Sequence, residues 1–585
     1  MHENQSKTSY IRMMLQSSTL HRRYAWMLAL ICIISLFFFL GETLFNTRGE
    51  PREAVVAVSM LEHGNWVLPV NNGVDMAYKP PFFHWLIATF SLLTGGVTEY
   101  TARIPSALAL AAMVLAGYGF YAKRRGAEVA FLMGLITLSN FEVHRAGVAC
   151  RVDMVLTLMM VWALYQLYRW VERDMQGLPW WGILALSGAF LSKGPVGLGL
   201  PCLTVALFAW VRGKGFARIF GRFFVVGLLA CILPVIWYVA AYQQGGQRFW
   251  DLVYEENVLR LLGKMSYESH VNPWPYNVMT VITGFVPYTL LVLMSLFVLR
   301  YRKPSFGSLG DAWARFRTYI RTMDDARLFS LMSFVVIFIF YCIPKSKRSV
   351  YLLPVYPFLA YFLAEYILWL RDHHRRVLDW FGWVLVSLAA LLSLVFIVVR
   401  LGGIPESWMG VKDYNANLLM LRALRDTSLT WPEWGAYFAP IVAIIFFIVG
   451  RKQTNRLVPA VITLIFSIFF ALDGVYQPIV LNTKSDKFVA EKVAHYVPEG
   501  KVYSFRSQYT PGNPIHPFTV NYYLGDRVVP FFAFMPQEGY LLVNGEDITD
   551  FCQRYPTYKV HEVEDFHHKS CDDRRIIHFY HFERR

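Results

Sequence analysis

Long unbroken apolar runs, rather than short alternating ones, dominate this chain. They recur from Tyr24 to about Asp473, each near the ~20 helical residues that cross a hydrocarbon core of roughly 30 Å. The pattern predicts about thirteen membrane helices, at 24–45, 101–121, 127–143, 153–171, 180–193, 195–211, 223–242, 276–299, 329–343, 350–370, 377–399, 435–450 and 456–473. Composition agrees: 55% of 585 residues are hydrophobic, 17% are charged, and the mean hydropathy is +0.36. A soluble globule is excluded.

Charge then orients the helices. Arg22-Arg23, Lys123-Arg124-Arg125, Arg212 to Arg222, Arg300 to Lys303, Arg371 to Arg376 and Arg451-Lys452 all fall on one side of the predicted count, which makes that side cytoplasmic. The first run follows His21-Arg22-Arg23 without a small-residue cleavage pattern and reads as an uncleaved anchor. Residues 1–23 are then a cytoplasmic N-terminus, 24–475 a transmembrane catalytic region, and 481–585 an outer domain, periplasmic in a bacterium. Outer loops fall at 46–100, 243–275 and 404–434.

Loop 46–100 is too patterned to be plain coil. Glu53 to His63 carries Val55, Val58 and Leu61 at helical spacing, and Pro80 to Leu93 opens on a proline pair, so two juxtamembrane helices are expected. After Asp473 hydropathy drops. Runs at Lys501–Phe505, Phe518–Leu524 and Gly539–Asn544 read as strands beside a helix around Ser485 to Tyr496, a small α/β domain. Cys552 and Cys571 both lie in it, and their spacing leaves both a disulfide and two free thiols open. No CxxC, HExxH or Cys/His cluster occurs, so no metal site is assigned.

The informative residues are cations where the orientation makes them scarce. Arg52, Lys79, Arg103, Arg145, Arg151, Lys193, Arg260, Lys345, Lys347 and Arg348 map to outer ends of helices or to outer loops. Cations at membrane depth are costly unless paired, and a set drawn from many segments points to a shared anion. An amphiphilic phosphate fits, its head at the interface and its tail in lipid. Taken singly, each could be a snorkelling or salt-bridged side chain; three cations in the tight Pro344-Lys-Ser-Lys-Arg turn fit that bland role less well. Glu50, Glu53, Asp153, Glu255 and Glu256 accompany them. Displacing a sugar from phosphate asks for a neutralised leaving group, an in-line nucleophile and, for a hydroxyl, a carboxylate base. Glu50 stands where such a base should be. His84 and His270 could ligate a metal with Glu256, but no ligand spacing supports this.

The outer-end motifs Gly49-Glu-Pro-Arg-Glu-Ala, Gly64-Asn-Trp-Val-Leu-Pro, Tyr78-Lys-Pro-Pro-Phe-Phe-His-Trp, Arg151-Val-Asp-Met, Ser192-Lys-Gly-Pro and Pro344-Lys-Ser-Lys-Arg-Ser-Val-Tyr-Leu-Leu-Pro occur in this order. Through them the chain resembles the GT-C fold polyprenyl-phosphate-dependent glycosyltransferases, in particular the bacterial lipid A aminoarabinose transferases and their protein O-mannosyltransferase relatives. The family's first motif is acidic-acidic-x-Arg; here the first acid is Gly49, and Glu50 and Arg52 match the rest. The acid that often precedes the family lysine is Tyr78. The resemblance implies Glu50, Arg52 and Asp153 in catalysis and Lys79, Lys345, Lys347 and Arg348 on the donor phosphate, where the outer-end cations Lys193 and Arg260 are expected to join them. Tyr78, His84, Glu256, His270 and Tyr351 would line the substrate cavity. It further implies inverting displacement of a sugar from undecaprenyl phosphate to lipid A or another outer-face glycan, lipid or protein, with no obligatory cofactor and the question of a divalent metal open.

Two other functions use similar features. A flippase for lipid-linked saccharides would place polar groups through the bilayer midplane, often with internal symmetry, whereas here they sit at outer ends. An oligosaccharide ligase or polymerase would use a pyrophosphate-linked donor.

Overall fold

The computed structural model describes residues 2–264, 270–299, 308–507 and 516–585. Each of the thirteen expected segments falls on helix. Among the described residues nine helices are long and apolar enough to cross a membrane, and the pair Tyr276–Gly284 and Tyr288–Val298, bent by 97°, makes a tenth if it is one span. Helices Ala127–Leu138, Trp180–Lys193 and Val196–Val211 are shorter. Phe216, Phe220, Phe224 and Leu228, one turn apart on helix Phe216–Tyr254, all face outward. Such a stripe suits lipid and not water. The protein is a multi-pass membrane protein.

Lipid supplies no hydrophobic drive between helices, so close packing holds the bundle. A Cβ on Gly382 would lie 2.2 Å from the Phe447 ring, and one on Gly147 would lie 2.3 Å from Leu110 Cδ2. At the centre, Phe120 stacks on Tyr165 with centroids 4.4 Å apart, and the buried Tyr121 and Ser330 hydroxyls share a hydrogen bond of 2.6 Å.

The two ends of the bundle differ in charge. At one end Arg124 Nε donates to Glu172 (3.1 Å), Arg125 Nε and Arg327 Nε donate to Glu365 (3.0 and 3.1 Å), and Arg451 holds Asp379 (2.8 Å). This end gathers the basic clusters that oriented the sequence, apart from Arg300 to Lys303, which lie outside the described residues.

The other end carries the long connections and the C-terminal domain. Helix Gly49–His63 follows the first span, closes on left-handed Gly64 (φ 67°) and is buried from Glu50 to Met60 except at Arg52, more deeply than a helix lying on the interface. A short hairpin of β1 (Val70–Asn71) and β2 (Asp75–Met76) leads to helix Phe82–Thr94. The capping pair Thr98 and Thr101 then starts helix Glu99–Arg125.

In the C-terminal domain β3 (Val502–Phe505), β4 (Val528–Pro530), β5 (Glu538–Asn544), β6 (Tyr558–Lys569) and β7 (Ile576–Arg584) form one sheet in the order β4-β3-β5-β7-β6. Strands β4, β3 and β5 are parallel, and β7 and β6 add antiparallel. The expected helix is present at Lys487–Tyr496. The expected strand at 518–524 is instead helix Phe518–Tyr523. Its first turn is capped by Asp572, which accepts from Thr519 N (2.9 Å) and Oγ1 (2.8 Å), and burial of residues 518–522 on all sides erased the periodicity. All seven cysteines are free, Cys552 exposed and Cys571 beside Thr519 at 3.2 Å.

This domain sits on the outer hairpin and the first span's exit. Asn72 N donates to Asp526 (2.9 Å), Asn521 to Asn72 (2.8 Å), Tyr522 to the Val97 carbonyl (3.0 Å) and Ser485 to the Phe45 carbonyl (2.7 Å).

Candidate active site

Between the helix ends on the domain side lies a cavity of about 330 Å³. Six stretches of chain supply its cations: Arg48 and Arg52, Lys79, Arg151, Lys193, Arg260 and Arg348. Among the described residues three carboxylates face them, Glu53, Asp153 and Glu256. Seven formal positive charges against three negative leave a site that wants an anion.

Local structure explains how each arrives. Arg52 and Glu53 are on the first turns of helix Gly49–His63. Asp153 opens helix Val152–Glu172 and Lys193 closes Trp180–Lys193, ends whose dipoles favour those charges. Helix Phe216–Tyr254 kinks at Gly246 (φ 56°) and passes into a π turn, Glu255–Leu259, that places Glu256, Asn257 and Arg260 at the cavity. Gly49 leaves its wall thin; a Cβ there would meet Arg151 Nη2 at 3.5 Å.

Every cavity carboxylate is already engaged. Glu53 accepts from Arg52 Nη2 (2.8 Å) and lies 2.9 Å from His84 Nε2. Asp153 pairs with Lys193, and Glu256 with Arg260 while accepting from the Tyr78 hydroxyl (3.4 Å). Lys193 Nζ also stands 4.4 Å from the Tyr351 ring centroid. Burial alone would raise the Glu53 pKa, but Arg52, His84 and Lys79 hold it well below the usual carboxylate range. Lys79 is lowered, first by burial, with Arg52 and Arg260 adding to it against Glu256 and Glu53. Burial and then Arg348, Arg260, Arg48 and Arg52 push His270 down to about 4.

Of the fourteen sequence-derived site residues, eleven line this cavity or the adjoining hollow of about 110 Å³, which holds His84. Glu50 does not. Arg103 donates to it from Nε (2.8 Å) and Nη2 (3.1 Å) and Cys150 N adds a third bond (2.7 Å), so Glu50 faces another cavity of about 300 Å³ with Arg103, His144, Arg145, Arg151 and Asp473. Lys347 turns back on the Pro344 (2.7 Å) and Asn272 (3.2 Å) carbonyls because Ser346 bridges to Val271, and Lys345 is exposed on the outside of that turn. From the basic turn, Arg348 alone lines the cavity. Sequence reasoning missed Arg48, one residue before the Gly-Glu-Pro-Arg motif, and left Glu53 and Arg151 outside the site. Among the described residues no group of three or more His, Cys, Asp and Glu is placed to hold a metal ion.

The fold is of the GT-C membrane type. The chain is similar to aminoarabinose and protein mannosyl transferases. Residues 78–238 match the family described as dolichyl-phosphate-mannose-protein mannosyltransferase. The chain is 25% identical over 387 residues to the undecaprenyl phosphate-alpha-4-amino-4-deoxy-L-arabinose arabinosyl transferase 2 of Proteus mirabilis, covering 64% of this chain and 65% of that one. It is 26% identical over 391 residues to the corresponding transferase of Pectobacterium carotovorum, covering 64% and 66%. The matched stretches thus span slightly under two thirds of these relatives. The crystal structure of ArnT from Cupriavidus metallidurans bound to undecaprenyl phosphate superposes with a TM-score of 0.65 over 95% of this chain and 97% of that one, at 19% identity.

Proposed function

We propose that this protein moves a sugar from a polyprenyl phosphate of the undecaprenyl type to an outer-face acceptor, such as lipid A or another glycan, lipid or protein. It would act in a bacterial inner membrane with its C-terminal domain in the periplasm. The observation that carries the reading is the excess of cations converging from six stretches on one interfacial cavity.

In the proposed reaction an acceptor oxygen that is already anionic, and so brings no proton, attacks the anomeric carbon from the face opposite the phosphate. The bond from that carbon to the phosphate oxygen breaks, its electron pair stays with the phosphate, and configuration inverts. Lys79, Arg52, Arg260 and Arg348 would take up the charge developing on the leaving phosphate. Glu53, Asp153 and Glu256 are tied to cations, and a carboxylate held as low as Glu53 is a weak proton acceptor. The arrangement therefore favours leaving-group stabilisation over strong base catalysis, which suits an acceptor that is already anionic. The cavity beyond Gly49 and Arg151, walled by Leu36, Phe39, Leu40 and Phe469 with Arg145 among them, offers an amphiphilic acceptor a path to the far side of the sugar.

The test is transfer by the protein in nanodiscs, given labelled undecaprenyl-phosphate sugars and a panel of outer-face acceptors that includes lipid A, with products identified by mass spectrometry. A product of inverted anomeric configuration supports the reading. Carrier movement across the bilayer with no transfer to any acceptor would replace it with a flippase.

A further inference from the structure

The end of the bundle opposite the active site has a cavity of about 860 Å³ that the proposed reaction does not use. It is lined by Val298, His373 to Val377, Asp379, Arg451 and Lys452. Several cations at this end are neutralised in place: Arg124 by Glu172, Arg125 and Arg327 by Glu365, Arg371 by Glu128 and Asp372, and Lys214 and Arg218 by Asp174. In this cavity the one carboxylate, Asp379, is taken by Arg451 at 2.8 Å. Arg376 and Lys452 are exposed and make no ion pair among the described residues. Arg375 is held in place by the Arg451 carbonyl, so its charge is fixed toward the same space.

The wall is not purely polar. Val298 and Val377 line the cavity, and Arg451 lies 5.2 Å from the centroid of Trp383. Trp380 is 56% exposed, and Phe446 and Val449 face outward on the adjoining helix Trp431–Gly450. An anion bound here therefore has exposed apolar side chains on the adjoining helix surfaces. Tryptophans at this level mark the headgroup boundary, and basic pockets between helix ends suit phosphate headgroups, with about 1 kcal/mol from each Lys or Arg near the surface.

We infer that this cavity binds the headgroup of an anionic phospholipid in the leaflet opposite the active site, one carrying two phosphates. Arg375, Arg376 and Lys452 contact the phosphates, and the acyl chains follow Trp380, Trp383 and Val449. A headgroup with two phosphates matches three cations that have no carboxylate of their own better than a single phosphate does.

The full-length protein in phosphatidylcholine nanodiscs containing a small fraction of cardiolipin or of phosphatidylglycerol provides the test, with retained lipid read by native mass spectrometry. Cardiolipin should be retained at least about tenfold over phosphatidylcholine, and Arg376→Gln with Lys452→Gln should reduce that several-fold. Both side chains are exposed, so folding is not at stake, and a spectrum showing unchanged protein mass and thermal unfolding verifies it. Equal retention of all lipids, or retention indifferent to the two substitutions, overturns the inference. Displacement of cardiolipin by millimolar inorganic phosphate would also overturn it, since the cavity would then be a simple anion site.

Discussion

Arg103 grips Glu50 through two guanidinium nitrogens, Nε at 2.8 Å and Nη2 at 3.1 Å, while its Nη1 binds the carbonyls of Leu40 (3.0 Å) and Thr43 (2.6 Å). The pair is buried and ties the exit of the first span to the start of helix Glu99–Arg125. Removing one partner of such a pair leaves a charge uncompensated, at a cost of about 3–5 kcal/mol. Glu50→Gln should therefore lower the thermal unfolding temperature by several degrees, while transfer per folded molecule falls less than tenfold. Loss of transfer without loss of stability would return Glu50 to a chemical role.

The cavity cations should outweigh its carboxylates. On the proposed reaction Lys79→Met and Arg260→Gln each remove charge that would stabilise the leaving phosphate, an effect worth about 10²–10³ in rate for a preorganised donor. Glu53→Gln keeps the shape and should cost less. Measured kcat/KM for the three variants decides it, and a larger loss for Glu53→Gln would point to a true base.

Because burial lowers the Lys79 pKa from its ordinary 10.5, the free protein loses this charge earlier than an exposed lysine does as pH rises. A phosphodiester stays anionic throughout. Donor affinity should fall on the alkaline side, starting below pH 10.5, and Lys79→Arg should move the fall upward. Titrating affinity for a non-reactive donor analogue checks it, and an unchanged alkaline limb in Lys79→Arg would contradict it.

Asp526 joins the C-terminal domain to the outer hairpin through Asn72 and Asn521, and burial raises its pKa to about 6 from 3.8. An acid raised on folding favours the folded state below its unfolded pKa, and that advantage is lost as pH rises from about 4 through about 6, by on the order of 3 kcal/mol. The wild-type domain contact should therefore be firmer at pH 5 than at pH 7. Asp526→Asn, at a left-handed position (φ 61°) that Asn accepts, should be the more stable form at pH 7 and should lose less stability than wild type between pH 5 and pH 7. Thermal unfolding of both proteins at the two pH values measures this.

The spans were legible because about 20 apolar residues in a row suit little besides a bilayer, and the outer cations because charge at membrane depth needs a cause. What the sequence could not carry was direction within a turn. Glu50 and Glu53 are three residues apart, about 60° around the helix, and that angle sends one to Arg103 and the other to Arg52 and His84. Lys347 and Arg348 are neighbours, yet the bridge from Ser346 to Val271 folds one onto carbonyls and leaves the other at the cavity. In the C-terminal domain, Phe518–Leu524 had the composition of a strand and became a helix because packing from all sides removed the cue of alternation.

The central claim is that the cationic cavity discharges a sugar from a lipid phosphate, and single-turnover transfer from labelled undecaprenyl-phosphate sugar tests it most directly. Wild-type protein in nanodiscs should release free carrier phosphate in step with acceptor glycosylation, and Lys79→Met, folded by thermal unfolding, should slow both about 100-fold or more. Equal rates in the two proteins would contradict the account.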